Sequence, residues 1–180
     1  LPISLLRDRN YPTARAAMLN TLTRSFMHNR FWINDPDCLM VRGRRTKLTE
    51  QQIYLMASVT ALSGGLLLLS DDLTELEEDR FEIFEKTTAL NRKCAPHTPL
   101  PLGMLENHFP RGLYNPAGYL GLWNPTRGPD RISVPIPSGV DAGALKKARN
   151  YWTNRAISWQ IQDGRINVAL GPFESLVAVL

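Results

Sequence analysis

Two short acidic motifs carry the groups best suited to chemistry. Asn34-Asp35-Pro36-Asp37 follows the apolar stretch Phe31-Trp32-Ile33, and Ser70-Asp71-Asp72 follows the run Leu66 to Leu69. Carboxylates at the carboxyl ends of parallel strands are where α/β folds hold their sites, because the loops there vary without disturbing the core. Paired carboxylates are also what glycoside hydrolysis requires, one acid to protonate the leaving oxygen and one base or nucleophile opposite. Phe31 and Trp32 would supply the aromatic wall of a sugar site. A plainer reading stands beside each pair: Asp71 and Asp72 would complement the dipole of the helix that follows, and Asp35 would cap a turn before Pro36.

Other chemistries find less support. Ser-His-Asp arrangements, phosphate-binding glycine loops and dinucleotide fingerprints are absent from the sequence. Cys38 and Cys94 form no CxxC pair, and His28, His97 and His108 lack ligand spacing, so neither a metal nor any other cofactor is expected. Free thiols in a reducing compartment are the expected state of both cysteines. The formal charge of +4 invites a nucleic-acid reading, but the only dense basic run is Arg42, Arg44, Arg45 and Lys47, without interleaved aromatics. It reads as a solvated loop, and no nucleic-acid partner is expected.

The elements that must position these groups follow from periodicity. Ala14, Met18, Leu22 and Phe26 recur every four residues after Pro12, which predicts an amphipathic helix ending near Asn29. A strand is expected over Phe31 to Ile33, before Pro36 removes a ladder donor. Thr49 and Gln52 make a capping box, with Leu48 and Ile53 as a hydrophobic staple, and Gly64-Gly65 ends the second helix. Leu66 to Leu69 reads as a strand buried on both faces. Thr74 and Glu77 suggest a second capping box opening a third helix, with Arg92 and Lys93 beyond its far end. Alternation of helix and strand over residues 12 to 92 implies parallel strands joined by crossover helices.

The character changes at Pro96, where prolines punctuate a linker-like stretch. Beyond it lie short alternating segments: Tyr119 to Trp123, Arg131 to Ile136, Ala156 to Ile161, Arg165 to Leu170 and Ser175 to Leu180. Asp163-Gly164 is a hairpin turn signal. The expected fold class is α/β plus all-β, with residues 1–95 as the α/β part, 96–112 as linker and 113–180 as an antiparallel β-sandwich. With 43% hydrophobic residues over 180 positions the chain has material for a core, and its longest unbroken apolar run is too short for a membrane helix. No membrane partner is expected.

Phe31-Trp32-Ile33-Asn34-Asp35-Pro36-Asp37-Cys38-Leu39, taken with Leu62-Ser63-Gly64-Gly65 and Ser70-Asp71-Asp72-Leu73, resembles the α-galactosidase (melibiase) group. The similarity is greatest to glycoside hydrolase family 36 and more distant to family 27. Leu122-Trp123-Asn124, Tyr151-Trp152 and Pro172-Phe173-Glu174-Ser175-Leu176 resemble the C-terminal sandwich of those enzymes. The resemblance implies the last two strands and helices of a (β/α)8 TIM barrel followed by the sandwich, and an α-galactoside oligosaccharide as substrate. It places Asp37 and Cys38 beside the galactose pocket, with Trp32 and Asp35 in supporting positions, all four counted as substrate-binding.

The same resemblance puts the catalytic nucleophile and acid/base upstream of Leu1. Asp8, in Leu5-Leu6-Arg7-Asp8-Arg9-Asn10, does not match the acid/base segment, so no catalytic residue is assigned within the chain. A chain starting at Leu1 without a basic n-region and an apolar h-region carries no recognisable signal peptide. The expectation is cytoplasmic, with secretion and oligomeric state left open. The reading from another class is a non-catalytic carbohydrate-binding or structural sandwich, which would need Trp123, Trp152 or Trp159 exposed on one face.

Overall fold

The computed structural model describes residues 13–180; Asp8 and Pro12 lie outside the described residues. The first helix, α1 (Ala14–Arg24), starts where Thr13 accepts a hydrogen bond from the Ala16 N–H, and a 3-10 turn over Ser25–Met27 extends it. Asn29, at φ 59°, stops the chain from continuing as helix. Strand β1 (Cys38–Leu39), helix α2 (Glu50–Ser63) and strand β2 (Leu68–Leu69) then form a parallel strand–helix–strand unit. Both halves of the Thr49/Gln52 capping box are made, and Gly64 closes α2 in the left-handed region at φ 71°. Helix α3 (Glu78–Cys94) packs along α2.

Three expectations fail in this half. The strand follows Pro36 rather than preceding it. Before Pro36, Phe31, Trp32 and Ile33 are exposed, and only Asn34 contributes a rung. Leu66 to Leu69 is not buried on both faces: Leu66 and Leu68 are 50% and 49% exposed, because no described layer covers that side of the ladder. Thr74 does not cap the third helix. Asp72 accepts from the Thr74 N–H and hydroxyl, which turns residues 73–75 into a separate 3-10 turn, and α3 begins later with no side-chain cap.

The β part is two antiparallel sheets. One has five strands in the order β3 (Leu100–Leu102), β4 (Gly112–Asn115), β5 (Tyr119–Trp123), β10 (Ser175–Val179), β7 (Arg149–Asn150). The other is β6 (Asp130–Pro135), β9 (Arg165–Leu170), β8 (Gln160–Gln162). A short helix α4 (Ala142–Lys147) precedes β7. Asp163 and Gly164 both take positive φ, 51° and 70°, in the β8–β9 hairpin. The proline-punctuated stretch 96–112 carries β3, an edge strand, where Pro101 is tolerated opposite Leu113.

The five-stranded sheet is buried on both faces, and side-chain alternation sorts two cores. Leu113, Tyr119, Trp123 and Val177 join Leu22, Leu39, Leu55, Leu62 and Leu90 of the helical half. Leu102, Leu120, Leu122, Leu176 and Ala178 face Ile132, Val134, Ile166 and Val168 of the three-stranded sheet. Gly121 lies where a Cβ would collide with Leu62 and Trp123, so its lack of a side chain lets α2 sit against β5. Asn115 completes the joint, its Nδ2 donating to the carbonyls of Leu62 and Cys94 at the ends of α2 and α3. None of the helices is long and apolar enough to cross a membrane among the described residues.

Candidate functional site

Asp35-Pro36-Asp37 forms a bulge in the parallel ladder. The Leu66 N–H donates to Asn34 O at 2.8 Å and the Ser70 N–H to Leu39 O at 3.0 Å, so the first strand holds one residue more than the second between those rungs. Asp37 absorbs the difference at φ 70°. Asp35 Oδ1 accepts from the Asp37 N–H at 3.0 Å, and Asp37 Oδ1 accepts from the Cys38 N–H at 2.8 Å, which supports the turned backbone through side-chain carboxylates. Pro36 is buried beneath while both aspartates are exposed.

A buried polar relay fixes the base of this bulge. Asn34 is 4% exposed, and its N–H donates to His28 Nδ1 at 3.0 Å. With Nδ1 accepting, the neutral ring carries its proton on Nε2 and donates to Ala95 O at 2.9 Å. Asn34 Oδ1 in turn accepts from Trp32 Nε1 at 3.2 Å. Gly65 passes against Asn34 with no room for a side chain. Sequence reasoning missed His28, whose role depends on Ala95 far along the chain.

Register assigns the faces. Cys38 pairs with Leu68 and Leu39 with Leu69, and partners in a parallel ladder point to the same side. Leu39 is fully buried against the helices. Cys38 and Leu68 therefore face the opposite, open side, together with Leu66. Desolvation first, and Asp37 beside it second, push the Cys38 thiol above its ordinary pKa. Trp32 and Asp35 line a hollow of about 300 Å³ with Asn20, Thr21, Arg24, Ile33 and Asn34. Asp37 and Cys38 lie outside that hollow, on the neighbouring stretch of ladder.

The second acidic pair has other work. Asp71, whose side chain is 1% exposed, accepts through Oδ2 from the N–H groups of Val41 and Arg42 and pairs with the Arg42 guanidinium at 3.4 Å. Exposed Asp72 caps the 3-10 turn, and its bonds from Thr74 hold its pKa below the usual carboxylate value. The basic run 42–47 is an exposed loop, as expected: the side chains of Arg44 and Arg45 are each 87% exposed while meeting Glu77 at 2.8 Å and Glu75 at 4.0 Å. The sequence also gave no hint of a hollow of about 630 Å³ where Arg15 lies 5.1 Å over the Phe109 ring, since its walls come from widely separated segments.

The tryptophans do not form a platform. Trp123 is fully buried and donates to Pro110 O at 2.7 Å; Trp152 is buried and donates to Ser58 Oγ at 3.0 Å. Trp159 is half-buried against the sandwich core, its indole N–H bonded to Leu145 O. Both cysteines are free thiols, and burial pushes that of Cys94 up to about 12.

No protein-family model matches the chain. Solved structures do. A Bacteroides fragilis protein assigned as an alpha-galactosidase superposes with a TM-score of 0.63 at 14% identity, over 96% of this chain and 38% of that one. A Bacillus halodurans protein assigned as an alpha-N-acetylgalactosaminidase gives 0.63 at 14%, over 99% and 47%. The Saccharomyces cerevisiae alpha-galactosidase with raffinose gives 0.61 at 10%, over 92% and 50%. At such identities the likeness is one of fold. The chain has the fold of part of the α-galactosidases and related glycoside hydrolases, and spans half or less of the length of these three structures.

Proposed function

We propose that the chain is the C-terminal portion of a retaining α-galactosidase-type glycoside hydrolase, in which β1 and β2 are the last two strands of a (β/α)8 barrel. The observation that carries this reading is the open face of the β1–β2 ladder. Cys38, Leu66 and Leu68 point away from the helices with no layer over them among the described residues, and Phe31, Trp32 and Ile33 extend the apolar surface. A two-stranded parallel sheet with one bare apolar face is incomplete, since such sheets are covered on both sides. Six further strands would cover it and close the barrel. The partial span of the matched glycosidases favours the same conclusion. Assignment to glycoside hydrolase family 36 rests on the sequence resemblance.

In this reading the reaction is a double displacement at the anomeric carbon, with nucleophile and acid/base supplied by upstream carboxylates. The residues present bind and position. Asp37, held by its bulge, accepts hydrogen bonds from hydroxyls of a terminal α-galactosyl residue, Cys38 lines the pocket floor, and Trp32 and Asp35 support the wall. The chain alone is inactive. The test uses the protein extended upstream in its reading frame. Asp37→Asn should lower kcat/KM on p-nitrophenyl α-D-galactoside by about a hundredfold, a loss of about 2.7 kcal/mol of transition-state binding. An unchanged kcat/KM would remove Asp37 from the site.

A further inference from the structure

Asn34 anchors the Asp35-Pro36-Asp37 bulge, and each of its polar groups is engaged. Its carbonyl accepts from the Leu66 N–H at 2.8 Å and its Oδ1 from Trp32 Nε1 at 3.2 Å, while its Nδ2 reaches Ser63 O at 3.4 Å and Ser25 O at 3.5 Å. The backbone N–H goes to a side chain, His28 Nδ1, at 3.0 Å. His28 is 1% exposed, and its Nε2 is already committed to Ala95 O at 2.9 Å. A second ring proton could enter only at Nδ1, where it would oppose the Asn34 N–H, donor against donor. Both N–H groups would then be buried without an acceptor, a costly state that is relieved by moving the chain at Asn34.

We infer that His28 is a positioning residue for Asp37 that works only with its ring neutral: protonation frees Asn34, and the bulge loses the geometry that presents Asp37 and Trp32. The link to substrate rests on the proposed role of Asp37; the link to the bulge does not. No counter-charge holds a proton on the ring. The groups that meet it, the Asn34 N–H and the Ala95 carbonyl, are neutral, and none of the ion pairs among the described residues includes His28. The titratable side chains on the segments around it are Arg24 and Arg30 on its own turn, Asp35 and Asp37 on the bulge, and Lys93, Cys94 and His97 about Ala95; the last turn of α2 and strand β3 carry none. Arg24, Arg30, Asp35, Asp37 and Lys93 are exposed, so solvent screens them. Cys94 is a buried neutral thiol, and His97 is half-buried.

The test follows the full 180-residue chain in nitrogen–proton correlation spectra from about pH 8 to 5, the range in which histidine rings titrate. The His28 ring signals, the Asn34 N–H and the Trp32 indole N–H should shift together with one midpoint, while the Asn115 side-chain amide, at the joint to the β part, stays in place. His28→Asn keeps an acceptor for Asn34, and Ala95 O keeps the Asn29 Nδ2 donor at 2.8 Å, so this variant should fold and lose the pH-dependent shifts. In the protein extended upstream, kcat/KM on p-nitrophenyl α-D-galactoside should fall about tenfold per pH unit below that midpoint, and the fall should vanish in His28→Asn. A ring that stays neutral to about pH 5, an Asn34 N–H that does not follow the ring, or the same acid fall in His28→Asn would each overturn the inference. An extended protein without hydrolysis would instead overturn the proposed function, and the spectra of the chain would still decide whether His28 holds the bulge.

Discussion

Asn115 Nδ2 lies 3.0 Å from the Leu62 carbonyl oxygen and donates to it, binding strand β4 to the last turn of α2. The same nitrogen reaches Cys94 O at 3.2 Å, so one fully buried amide satisfies the carboxyl ends of two helices. Asn115→Ala would leave two buried carbonyls short of a donor and should cost about 2–3 kcal/mol in urea unfolding. Because Leu113, Trp123 and Val177 share a core with the helices, helical circular dichroism and tryptophan fluorescence should report one coincident transition. Two separated transitions would show that the halves fold independently.

The capping box of α2 gives a second, smaller effect. Thr49 Oγ1 accepts from the Gln52 N–H at 3.3 Å, and Gln52 Oε1 accepts from the Thr49 N–H at 2.9 Å. Thr49→Ala should lower stability by about 1 kcal/mol, and Thr49→Ser should restore most of it.

The left-handed bulge at Asp37 separates conformation from charge. Asp37→Asn and Asp37→Gly keep access to φ 70° and should change stability by no more than about 0.5 kcal/mol. Asp37→Val, β-branched in the same position, should cost about 1–3 kcal/mol. Thermal unfolding of the three variants checks this, and equal melting temperatures would argue against the bulge.

Cys94 predicts an alkaline limit. Its folded pKa, raised to about 12 from 9.0 by burial, means that thiolate forms first in the unfolded chain. Its contribution is intact below pH 9.0 and falls as pH rises toward 12, by roughly 1.4 kcal/mol per unit. Cys94→Ala, though less stable at neutral pH, should lose this part of the slope. Parallel stability curves for the two proteins between pH 9 and 11 would contradict the assignment.

Local signals were readable where the partner lies within a few residues. The Thr49/Gln52 box, the Gly64 stop and the Asp163-Gly164 turn all appear as their residue types demand. Failures share a different cause. Leu66 and Leu68 look like core by residue type, yet nothing among the described residues covers them, and β3 hides in a proline-rich stretch because only its edge position tolerates Pro101. Of the four residues read as substrate-binding, Trp32 and Asp35 line one hollow, while Asp37 and Cys38 lie outside it. The Asp71–Val41–Arg42 clasp and the His28–Ala95 bond were not legible, because they join segments far apart in sequence.

The central claim is that these residues bind and position while the catalytic carboxylates belong to the upstream portion. Its most direct measurement is release of p-nitrophenol from p-nitrophenyl α-D-galactoside by the purified 180-residue chain, beside the same chain extended upstream in frame. The account predicts a rate no greater than buffer for the first and enzymatic turnover for the second. Turnover by the 180-residue chain alone, or none by the extended protein, would contradict it.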